Sequence, residues 1–118
     1  MDKPGLSRAV RRVVEAQTLQ PRWEKLSDRQ IEFIVAVAAL GGETLVSTLA
    51  RALGRSVKDL SWLRDDLLRA GDLLAPGRGR VALAVPLMAP FALANYEAAR
   101  QDAGVKLMPL AKIRAALE

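Results

Sequence analysis

The sequence predicts a mainly α-helical domain with a small β-hairpin, arranged as a winged helix-turn-helix with extra N- and C-terminal helices. Three observations carry that prediction. Apolar residues recur at helical spacing along most of the chain. Two short helical segments flank a glycine-containing turn at Gly54, and the second is amphipathic. That second segment is followed at once by two apolar runs joined by Pro76-Gly77-Arg78-Gly79-Arg80, which reads as strand, tip, strand. The 118 residues, 51% apolar and 26% charged, suffice for one domain with its own core and leave no room for a second.

Residues 1–20 form a basic amphipathic helix, with Leu6, Val10, Val13 and Val14 on one side and Arg8, Arg11 and Arg12 beside them. Pro21 ends this helix or falls just beyond it, and Arg22 to Lys25 make a connector that Trp23 anchors to the core. Residues 21–86 hold the winged helix-turn-helix. Ser27 or Asp28 caps a helix running through Ile31, Phe33, Ile34, Val35, Val37, Ala38 and Leu40 to a stop at Gly41-Gly42. With apolar residues at nearly every position after Glu32, that helix is expected to be buried on most sides. Thr44 then caps a short helix carrying Leu45, Leu49 and Leu53, closed by Gly54. Ser56 caps the next, with Asp59 standing where a capping box has Glu. This helix, Val57 to Ala70, places Leu60, Leu63 and Leu67 on one flank and ends at Gly71.

Leu73-Leu74-Ala75 and Val81 to Val85 supply the hairpin strands. Residues 87–118 add a helix opened by Pro90 and running to about Asp102, a break at Gly104, and a short helix from Pro109 through Leu110, Ile113 and Leu117. These terminal segments either cover the domain's own core or pair across a two-fold axis in a homodimer.

The chain has no cysteine and no histidine, which removes thiol chemistry, the usual zinc ligands and any imidazole base. Asp65 and Asp66, neighbours on a helix, diverge by about 100° and cannot readily share a metal or a proton. No enzyme activity, metal or cofactor is expected. The longest apolar stretch, Val81 to Ala94, is too short for a bilayer and is interrupted by Pro86 and Pro90, and no secretory leader is evident. A cytoplasmic protein without a membrane partner is expected. The 18 Lys and Arg against 13 Asp and Glu leave a formal charge of +5, which favours polyanions.

Several segments together resemble a known family, the winged-helix domain at the C-terminal end of bacterial and archaeal AAA-type ATP-binding proteins. They are Pro21-Arg22-Trp23-Glu24, Ala38-Ala39-Leu40-Gly41-Gly42, Leu49-Ala50-Arg51-Ala52-Leu53-Gly54-Arg55-Ser56, and Arg78-Gly79-Arg80-Val81-Ala82 leading to Val85-Pro86-Leu87. The resemblance runs from about Pro21 to Phe91. The phosphate-binding Gly-x-x-x-x-Gly-Lys-Ser/Thr loop of the ATPase core is absent from the chain. The resemblance implies a module that helps an ATPase domain, in the same or another chain, engage DNA or a partner.

Duplex DNA is the leading partner on this reading, because the second helix of such a motif enters the major groove while basic side chains hold phosphates. The face opposite the leucine stripe presents Lys58, Trp62 and Arg69, with Ser61 on its flank. Arg51 and Arg55, on the first motif helix and its turn, are placed for phosphate contacts, and Arg78 and Arg80 for a phosphate or a narrow minor groove. Asp59, Asp65 and Asp66 on or beside the same helix face oppose tight DNA binding. The alternative is a protein-interaction or dimerisation module in which this mixed-charge face with Trp62 is the contact surface. Arg64 borders the leucine stripe and is expected to be structural, paired with a carboxylate of another helix.

Overall fold

A computed structural model describes residues 8–116. Leu6 and Leu117, which the sequence places on the terminal apolar stripes, lie outside the described residues, as do the side chains of Arg11 and Val14. Helix α1 (Arg8–Val14) runs through a wider, π-helical stretch (Glu15–Leu19) into α2 (Gln20–Glu24). Pro21 therefore does not end the N-terminal helix; it sits in the first turn of α2, where its missing N–H has no intrahelical partner to lose. The expected connector at Arg22 to Lys25 is correspondingly helical up to Glu24. Trp23 is buried and meets the ring of Phe91 edge to face at 5.8 Å.

Helix α3 (Asp28–Ala39) is the axle of the fold. Ser27 caps it through a complete capping box: its hydroxyl accepts from the Gln30 amide at 3.2 Å, and the Gln30 side chain accepts from the Ser27 amide at 2.9 Å. Every residue from Ile31 to Ala38 is buried, because α4 (Val46–Leu53), α5 (Val57–Ala70), α6 (Met88–Asp102), α7 (Leu110–Ala115) and the sheet all pack around it.

Three strands, β1 (Glu43–Leu45), β2 (Leu73–Leu74) and β3 (Arg80–Leu83), form an antiparallel sheet in the order β1-β3-β2. The hairpin is β2 with β3, joined in register Leu73 with Leu83 and Leu74 with Ala82. Strand β1 corrects the sequence reading: Thr44 does not cap α4 but lies mid-strand opposite Val81, buried, and Leu45 precedes the helix instead. The element order α3-β1-α4-α5-β2-β3 is that of a winged helix-turn-helix. Between α4 and α5 the chain turns through Gly54, whose φ of +65° is a conformation only glycine adopts without strain. Ser56 then caps α5, accepting from the Asp59 amide at 3.0 Å.

The C-terminal helices cover the domain's own core. Met88, Phe91, Ala92 and Tyr96 of α6 are buried, as are Leu107 and Ile113, so these last two are not available to pair across a two-fold axis. A strap of residues 103–109 links α6 to α7 and is tied down by polar contacts. The Tyr96 hydroxyl donates to the Met108 carbonyl at 2.7 Å, and Arg29 donates to that of Lys106 at 3.2 Å. Among the described residues no helix is long and apolar enough to cross a membrane.

Candidate nucleic-acid interface

Helix α5 buries Leu60 and Leu67 completely, with Leu63 and Leu68 packed at the edge of the core. The 3.6-residue repeat then turns Lys58, Asp59, Trp62, Asp65, Asp66 and Arg69 outward, and all six are exposed. Trp62 is 72% exposed, so among the described residues no segment covers the middle of this face. Ser61, half-buried, donates its hydroxyl back to the Val57 carbonyl at 2.9 Å, which occupies its proton within the helix.

The acidic residues of this helix are mostly matched internally. Asp65 accepts from Arg64 at 3.0 and 3.2 Å, and Asp66 accepts from Arg69 at 3.1 Å. The first pair alters the expected role of Arg64, whose partner is its own neighbour and not a carboxylate of another helix. Asp59 lies in the first turn, where the helix dipole favours a negative charge.

The basic residues singled out in the sequence divide into two groups. Arg55 is turned to the buried carboxylate of Glu32, to which its Nε donates at 3.1 Å, so that contact directs it toward the core and away from the α5 face. Arg80 is not part of the hairpin tip; it is the first residue of β3, and its Nε donates to Glu43 of β1 at 3.0 Å. By contrast Arg51, Lys58 and Arg78 are exposed and have no carboxylate partner among the described residues.

Arg78 occupies the tip itself, in a turn closed by the Arg80 amide donating to the Gly77 carbonyl at 3.1 Å. Gly79, at φ +70°, makes that turn possible. The tip is braced from below, since the Gly79 carbonyl accepts from the Val46 amide at the start of α4 at 2.8 Å. The wing is thus short and held against the helix-turn-helix, and Arg78 is its one cation without a carboxylate partner among the described residues.

Glu32 and Tyr96 organise the molecule and were not singled out from the sequence. Glu32 is 2% exposed and accepts from Arg29 Nη1 at 3.3 Å, Arg55 Nε at 3.1 Å and the Met108 amide at 2.8 Å. The available signal was a lone carboxylate inside an apolar helical run, which in a folded chain requires a cation. Burial, with Glu32 adding to it, pushes the Tyr96 phenol well above its ordinary range. Among the described residues no three acidic side chains gather as a metal site would require.

Residues 16–92 match the model of DUF8462, a domain of unknown function. The match takes in well over half of the chain, from the π-helical stretch through the first turn of α6, and the chain belongs to that family. No curated protein and no solved structure matches.

Proposed function

We propose that this member of the DUF8462 family binds duplex DNA, laying the outer face of α5 in the major groove with the Arg78 tip against the backbone. The observation that carries the reading is the pairing pattern of the charges. Asp65 and Asp66, which would repel phosphates, are matched by arginines of their own helix, whereas Arg51, Lys58 and Arg78 have no carboxylate partner among the described residues. Three cations available to phosphates therefore lie on the two motif helices and the wing. Arg69, through donors not used on Asp66, and the apolar face of Trp62 are placed for base-edge contacts, the latter with a thymine methyl.

A salt-titrated binding assay against random duplex, single strand and a nucleic-acid-free control tests this. The reading requires duplex binding that weakens steeply with salt, and loss of affinity in the Lys58→Ala/Arg78→Ala variant. Absent binding, or binding indifferent to salt, refutes it.

A second reading is favoured by one observation, the 72% exposure of Trp62 on a helix that carries both charges. In that case α5 docks on a protein, with Trp62 as its anchor. Trp62→Ala would then abolish partner binding while Lys58→Ala/Arg78→Ala left it intact.

A further inference from the structure

We propose that a second basic site, separate from the α5 face, binds the phosphate group of a small ligand in the cavity between α3, the turn after α4 and the C-terminal strap. This cavity of about 250 Å³ is bordered by Arg29, Arg55, Lys106 and Lys112, with Glu32 as the one carboxylate among the described lining residues. Among the described residues, four cations against one anion leave a local excess of positive charge along this open pocket, which attracts a phosphate dianion.

The donors are both available and held in place. Glu32 engages one nitrogen of each arginine, Nη1 of Arg29 and Nε of Arg55. Arg29 spends that same nitrogen on the Lys106 carbonyl. The other guanidinium nitrogens, and the ammonium groups of Lys106 and Lys112, have no partner among the described residues. Because Glu32 is buried and also accepts from the Met108 amide, it fixes both guanidiniums before any ligand arrives, which lowers the ordering cost of binding. Planar guanidinium forks match tetrahedral oxygens in a way lysine alone does not. Leu53 and Pro109 line the same cavity and give an organic portion of the ligand an apolar surface. The phosphate can therefore come from a free ion or from a phosphomonoester. Arg55 opens the turn into α5, so a ligand here touches the base of the helix-turn-helix without occupying its outer face.

Calorimetric titration with inorganic phosphate and, separately, with AMP tests the site in the full chain. Saturable one-to-one binding of either probe is expected, weakened at least tenfold in Lys106→Ala/Lys112→Ala and unchanged in Lys58→Ala/Arg78→Ala. Tighter binding of AMP would identify a phosphomonoester as the source, and equal binding the free ion. The arginine side-chain N–H signals of Arg29 and Arg55 should shift in the same titration of the unaltered protein, a readout that needs no variant. No saturation by either probe, equal affinity in the lysine variant, a loss shared by the α5 variant, or unmoved arginine signals would overturn the proposal.

Discussion

Replacing Glu32 by Ala should reveal how much of the fold hangs on one carboxylate. The side chain is 2% exposed and holds Arg29, Arg55 and the Met108 amide at once, so it joins α3, the turn after α4 and the C-terminal strap. Removing one partner of a fully buried ion pair costs about 3–5 kcal/mol, because the other charge is stranded. Here the arginine side chains are 34% and 27% exposed and can regain water, which lowers that cost. The Met108 amide loses its acceptor, which adds part of the ~1–3 kcal/mol charged to an unsatisfied buried donor.

The balance is a destabilisation of about 2–3 kcal/mol, or a Tm lowered by roughly 8–12 °C in a domain of this size. Urea unfolding followed by circular dichroism, alongside Glu97→Ala, gives the comparison. Glu97 pairs with Arg100 at 2.7 Å but its side chain is 68% exposed, so its loss should cost under about 0.5 kcal/mol. If Glu32→Ala were no more damaging than Glu97→Ala, the buried clamp would not exist as described.

Other expectations follow from single residues. Tyr96 is the only tyrosine, so absorbance at the tyrosinate band reports it alone. Its raised folded-state pKa means that the phenol stabilises the fold fully below its ordinary range near pH 10 and progressively less above it. Tyrosinate should therefore form only as the domain unfolds in alkali, and Tyr96→Phe should flatten the alkaline loss of stability; free titration near pH 10 in the folded protein would contradict this. The two tryptophans should separate by fluorescence. Trp23→Phe leaves red-shifted, readily quenched emission from Trp62, and Trp62→Phe leaves blue-shifted emission from the buried Trp23. Ser27→Ala removes the capping box of α3 and should cost about 1 kcal/mol in urea unfolding; an unchanged midpoint would mean that the cap contributes nothing.

Helices, caps and the leucine flank of α5 were legible because their signals are local. Ser27, Ser56 and Gly54 act within a few residues of themselves, and the repeat of Leu60, Leu63 and Leu67 fixes the outward side of the helix. Strand β1 was not legible. Glu43-Thr44-Leu45 is too short to show alternation, and it becomes a strand only because β3, far along the chain, pairs with it. The same distance hid the fates of Arg55 and Arg80: sequence spacing says that an arginine lies at a turn, but its partner, Glu32 or Glu43, is set by tertiary packing. Pro21 misled for a different reason, since a proline reads as a helix stop but is equally suited to a helix's first turn, where it sits here. The C-terminal apolar stripe was ambiguous in the sequence because core and dimer contacts need the same residues; Leu107 and Ile113 are buried within the chain itself, whereas Val10 and Val13 of the N-terminal stripe are exposed.

The salt dependence of duplex affinity addresses the binding surface most directly. With Arg51, Lys58 and Arg78 each neutralising one phosphate, the logarithm of the binding constant should fall with that of salt concentration at a slope of about −2.7, and Arg78→Ala should reduce its magnitude by about 0.9. A slope unaltered by Arg78→Ala, together with undiminished affinity, would place the contact elsewhere on the molecule.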